Sequence, residues 1–157
     1  MVFSEDRRVE LDGSDDDGFE EAPQRGFAAG EPLEAYESLQ RLVLTSYGHR
    51  CALTGERFEP VTRLLHPRLD VVAIRPRDHG GPLSIANYLP MVGELVDAFE
   101  RGTILIEDDY RIIVPNADLL APDTLARLRS ALHVPAEHLF KPGATYLAYH
   151  RRFVLGR

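Results

Sequence analysis

Residues 69–102 read LDVVAIRPRDHGGPLSIANYLPMVGELVDAFERG, and their local signals set the fold class. Leu69 to Ile74 is a β-branched apolar run closed by Pro76, as expected of a buried strand. RDHGGP, residues 77–82, is a glycine-rich loop. SIANYLP then gives a short extended stretch, and the spacing predicts a helix from about Val92 to Glu100, stopped by Gly102. The order is strand, loop, strand, helix.

Reading outward, Pro32 suits a first helical turn, and Leu33, Tyr36, Val43, Leu44 and Tyr47 stack on one face of a helix that Gly48 ends. RCALTGERF follows, with Thr54-Gly55 as a tight turn between short extended pieces. Beyond the central stretch, TILIEDDYRIIVP places two apolar runs around Asp108-Asp109, a hairpin signal. Two further helices are predicted near Asp123 to Leu132 and Ala144 to Phe153. The class is α+β.

With 157 residues and 44% hydrophobic content, the chain fits one domain with a sizeable core. Residues 1–30, acidic and without sustained periodicity, are expected to be a disordered tail, leaving 31–157 as the domain. Charge is split along the chain. Residues 1–37 hold 12 Asp and Glu against 3 Arg, a balance of −9; residues 38–157 hold 13 acids against 15 bases, a balance of +2. The folded part is mildly basic although the whole carries −7. Cys51 is the sole cysteine, so neither an internal disulfide nor a zinc site of paired thiolates is expected. No apolar run reaches the roughly 20 residues that cross a bilayer, and no secretory signal precedes the domain, so a cytoplasmic protein without membrane contact is expected.

The pieces CALTG (51–55), VVAIRPRDHGGPLSIAN (71–87), ELVDAFERG (94–102) and YLAYHR (146–151) occur in an order that resembles the bacterial HNH endonucleases, the ββα-metal family. That family shows C-x-x-T-G, A-A-H-I-x-P, G-G, S-N-G-L, L-H-x-L-F-D-x-G and Y-L-x-Y-H-R, and the likeness runs from about Arg41 to Phe153. It implies an HNH-like core with an N-terminal helix, a following β-hairpin and C-terminal helices. It also implies a strand-borne histidine as general base, an asparagine after the glycine loop that steadies the site, and a helix-borne histidine that holds a divalent metal. In this sequence the general-base position falls on Ala73, the asparagine is kept as Asn87, and the metal-ligand position falls on Val96. Neither Ala nor Val offers a lone pair to a proton or a metal. The resemblance therefore implies a nuclease scaffold that has lost its chemistry, with no cofactor expected.

Two alternatives stay open. His79, in the Asp78-His79-Gly80-Gly81 loop, is the candidate substitute, with Asp78 or Asp97 supplying oxygen to Mg2+ or Mn2+ in an active endonuclease with relocated ligands. A protein partner that docks on the acidic tail or the filled cleft is the other. For the leading reading, a DNA-binding or regulatory module, the candidate nucleic-acid-binding residues are Arg75, Arg77 and Arg101 at the cleft and His150, Arg151 and Arg152 on the last helix. His150 is otherwise read as packing the last helix onto the core, and His66, before Pro67, as a surface loop residue.

Overall fold

The computed structural model describes residues 31–61 and 66–155. The acidic stretch 1–30 lies outside the described residues, as do 62–65 and 156–157. A boundary between compact units falls inside the first helix, after Ser38, and the core and groove described below lie in the unit Leu39–Arg157. The elements are α1 (Glu31–Ser46), β1 (Leu69–Ala73), β2 (Tyr88–Val92), α2 (Val96–Arg101), β3 (Leu105–Ile106), β4 (Ile112–Ile113), α3 (Pro122–Arg127) and α4 (Ala144–Leu155). This is an α+β architecture with two small antiparallel sheets, β1-β2 and β3-β4. Among the described residues no helix is long and apolar enough to cross a membrane.

β1 and β2 pair from Leu69 opposite Val92 to Ala73 opposite Tyr88. β2 is buried along its whole length, so YLPMV carries no solvent alternation. Pro90 has no N–H to give, and its carbonyl instead accepts from Ala52 N–H at 2.8 Å, tying the CALTG turn to the sheet. Cys51 is buried beneath the same junction, its Sγ accepting from Val92 N–H at 3.4 Å. The core gathers Val43 from α1 and Tyr47 from the turn after it, Leu53, Leu89 and Met91, Phe99 from α2, Ile104 and Ile106, and Leu147 from α4.

Two predicted boundaries move, each because tertiary pairing overrides helical propensity. Val92 is extended (φ −61°, ψ 143°), and α2 begins only at Val96, after a 3-10 turn at Gly93–Leu95. The ladder partner Leu69 holds Val92 in the sheet. Likewise α3 ends at Arg127, not near Leu132, because Leu128 turns extended. The strap that follows gives its N–H groups to other segments: Arg129 to Leu53 O (2.9 Å), Leu132 to Tyr110 O (2.8 Å) and His133 to Ala52 O (2.9 Å). Gly102 closes α2 at φ 82°, where a Cβ would stand 2.6 Å from Val154 Cγ2, so a bare backbone lets α4 approach.

Candidate functional site

The strand end, the glycine loop, α2 and α4 enclose a groove of about 380 Å³. β1 and its extension supply Ala73, Ile74 and Pro76, and the 3-10 turn Arg77–His79 supplies Asp78 and His79. α2 supplies Asp97, Phe99, Glu100 and Arg101, and α4 supplies Tyr149, His150, Phe153 and Val154. Ala73, the general-base position of the resembled family, thus lies in the groove. Val96, half-buried at the start of α2, is not among the lining residues.

Asn87 sits beneath the groove with no exposed surface. Its Oδ1 accepts from Arg75 N–H at 2.8 Å, and its Nδ2 donates to Arg75 O at 3.0 Å and Pro82 O at 3.1 Å. Both amide hydrogens are spent on backbone carbonyls, so the side chain clamps the two ends of the glycine loop. Gly81 is part of this clamp: a Cβ there would stand 1.8 Å from Arg75 O and 2.9 Å from Asn87 Nδ2.

His79 is built into the wall. Its Nδ1 lies 2.9 Å from Tyr149 Oη, and its ring packs edge-on against Phe153 with centroids 4.4 Å apart. Tyr149 and Phe153, one turn apart on α4, are stacked at 5.9 Å. Asp78 Oδ1 is 3.9 Å from His79 Nε2. The Arg75 guanidinium lies over the Tyr149 ring at 4.4 Å, and its Nε donates to His79 O at 2.6 Å. Arg75, Asn87 and Tyr149 therefore hold the loop that carries His79 from three sides.

The remaining predicted site residues separate. Arg101 lines the groove but is paired along α2, its Nε 2.9 Å from Asp97 Oδ2. His150 is buried, stacked on Phe99 at 4.1 Å with Nε2 2.7 Å from Phe99 O. Arg151 is directed to the β3-β4 hairpin, donating to Ile106 O at 2.7 Å and Asp108 Oδ1 at 2.8 Å. Arg77 and Arg152 are exposed. Among the described residues, no three His, Cys, Asp or Glu side chains come together to hold a metal ion. The groove carries the carboxylates of Asp78, Asp97 and Glu100 against the single guanidinium of Arg101, a lining on the acidic side.

His66 is a correction to the sequence reading. It is buried, not a surface loop residue, and it staples the approach to β1. Its Nδ1 accepts from Arg68 N–H (3.0 Å) and Leu69 N–H (3.1 Å), which leaves Nε2 to donate to Glu59 O at 2.9 Å. The Tyr149 and Phe153 wall was also not assigned to the groove; the signal for it is a pair of aromatics four residues apart beside the glycine loop's histidine, which pattern reading alone sends to the core.

No protein-family model matches the chain, and no curated protein matches it in sequence. A solved structure, that of the modification dependent TagI restriction endonuclease, matches in three dimensions with a TM-score of 0.54 and 24% sequence identity. The match covers 73% of this chain and 36% of that one, so this chain spans about a third of its structural relative. The likeness is one of fold, the α+β arrangement of short strands and helices described above.

Proposed function

We propose that this chain is a degenerate HNH-type domain that does not cleave DNA and acts as a DNA-binding or regulatory module. One observation carries the reading: the strand ends in the groove lining at Ala73, the residue that falls on the general-base position of the resembled family. Val96 likewise stands at the metal-ligand position. In support of this reading, no group of three His, Cys, Asp or Glu side chains able to hold a metal ion forms among the described residues. A base contributes roughly 10²- to 10⁴-fold to such a reaction, and an alanine contributes none of it.

His79 with Asp78 and Asp97 supports the competing reading, a metal-dependent endonuclease with relocated ligands, because all three line the groove. Against it, the Nδ1 side of His79 is taken by Tyr149 and the Asp97 carboxylate by Arg101. DNA contact on the leading reading is through phosphates, which guanidinium groups bind bidentately. Of the candidate arginines, Arg77 and Arg152 are exposed, whereas Arg101 is paired with Asp97, Arg151 with Asp108, and Arg75 lies over the Tyr149 ring.

Plasmid nicking with Mg2+, Mn2+ and EDTA, run beside a low-salt mobility shift on the same sample, decides between these. The expected result is a shift without cleavage. Metal-dependent nicking that tracks the protein and disappears in His79→Ala would replace this reading with the endonuclease. Neither cleavage nor shift would transfer the function to a protein partner.

A further inference from the structure

The CALTG turn carries an arrangement that the groove does not use. Arg50 and Arg57 face each other as antiparallel bridge partners. Their neighbours make the flanking bonds, Cys51 N–H to Glu56 O and Phe58 N–H to His49 O, both 2.9 Å. Arg50 and Arg57 are therefore the pair between bonds, with Cα atoms about 4.5 Å apart and side chains on one face. Like charges directly opposite one another destabilise a strand pair. Both residues are exposed, so neither is required by the core.

A third guanidinium joins them. Arg129, on the strap after α3, lays its side chain on Gly55, with Cδ 3.1 Å from the point where a Cβ would stand. Its Nε donates to Ala131 O at 2.9 Å, while Arg50 Nη1 donates to Gly55 O at 2.9 Å. Among the described residues, Arg50 and Arg129 are thus steadied by backbone carbonyls and not by carboxylates. Among the described residues the acid paired with Arg57 is Glu59, 3.4 Å from Arg57 Nη1 with 87% of its side chain exposed, and such a pair is worth little. Glu56, between the arginines in sequence, is turned to Arg127 at 2.9 Å. His49 reports the same field: burial first, then electrostatic interaction with His66 and with Arg57, lowers its pKa.

We propose that Arg50, Arg57 and Arg129 form a contact surface for the phosphate backbone of duplex DNA. The proposal rests on the DNA-binding reading above and gives that reading its cationic surface, which the acid-lined groove with its two exposed rim arginines does not supply. Guanidinium forks held by carbonyl oxygens keep their outer donors for phosphate, and a phosphate placed between Arg50 and Arg57 relieves the repulsion that the turn otherwise bears.

The test measures binding of a short fluorescent duplex to the full chain across a salt series. The variants are Arg50→Gln with Arg57→Gln, and a charge-matched control, Arg111→Gln with Lys141→Gln. Each phosphate contact contributes about 0.9 to the slope of log K against log salt, so loss of two is expected to make the slope shallower by about 1.8. The control is expected to keep the wild-type slope, and the melting temperature of the Arg50/Arg57 variant is expected to stay level or rise as the like-charge pair is removed. An unchanged slope in that variant overturns the proposal while leaving DNA binding itself standing. Wild-type protein that fails to bind the duplex at low salt overturns both. Competition by poly-glutamate as effective as that by unlabelled duplex overturns the phosphate assignment in favour of an acidic protein.

Discussion

Replacement of Asn87 by aspartate isolates the clamp under the groove with a change of one atom group. In the wild type, Oδ1 faces one N–H and Nδ2 faces two carbonyls. Aspartate keeps the first contact and sets a carboxylate oxygen against Arg75 O and Pro82 O, both acceptors. Asn87→Ala removes all three bonds, at about 1 kcal/mol each, or about 3 kcal/mol together. Asn87→Asp at neutral pH loses two bonds and in addition buries a charge facing acceptors, so its penalty is at least about 3 kcal/mol. For a unit of this size that corresponds to a fall of roughly 10 °C in Tm. The two variants part company with pH. Burial against carbonyls raises the folded-state pKa of the new carboxyl above its unfolded value of about 3.9. The folded state then holds the proton more tightly, so the relative stability of Asn87→Asp is greatest below about pH 3.9 and is lost as pH rises through the raised value. The Asn87→Ala penalty is flat over the same range. Urea denaturation of the three proteins at several pH values gives both quantities. An Asn87→Asp penalty below about 0.5 kcal/mol, or one that tracks Asn87→Ala at every pH, would refute the orientation of the amide and the clamp with it.

Gly81→Ala has no room for its methyl group against Arg75 O, and is expected to cost about 3 kcal/mol or more by thermal or chemical denaturation. A near-neutral result would show that the loop takes another path. For His49, whose pKa is lowered from 6.5 chiefly by burial, the unfolded chain binds the proton first, so the associated stability is present above about pH 6.5 and is lost as pH falls through the folded value. Arg57→Gln removes one of the three causes, and an NMR titration is expected to show the His49 pKa moving upward; no movement would remove Arg57 from its surroundings. Deletion of residues 2–30, a stretch in which nine acids outweigh three arginines, is expected to tighten low-salt DNA binding, with the gain fading as salt rises. Equal affinities at low salt would deny the tail any electrostatic part in binding.

The ββα order was legible because its signals are local: a β-branched run ending at Pro76, two glycines, and a helix stopped by Gly102. Where the sequence reading misplaced a boundary, the deciding partner was remote. Val92 follows its ladder partner Leu69, and the strap after Arg127 follows Leu53, Ala52 and Tyr110. Motif spacing singles out Ala73 and Asn87, and the structure puts Ala73 in the groove lining and buries Asn87. The directions of the arginines were out of reach for the same reason that the burial of His66 was. A long side chain takes its partner from whatever element arrives beside it: Asp108 for Arg151, the Tyr149 ring for Arg75. No periodicity in one strand or helix encodes that arrival.

The groove is assembled from two distant stretches of chain. One wall comes from residues 73–101 and the other from residues 149–154, joined by His79 to Tyr149 and by His150 to the carbonyl of Phe99. The first wall is synthesised before the second, and until α4 docks, Phe99 lacks the His150 ring that stacks on it and the strand end lacks its facing wall. Formation of the groove is thus a late, non-local step, and a nascent chain halted before α4 presents an apolar face suited to chaperone capture before it has any groove with which to recognise a ligand.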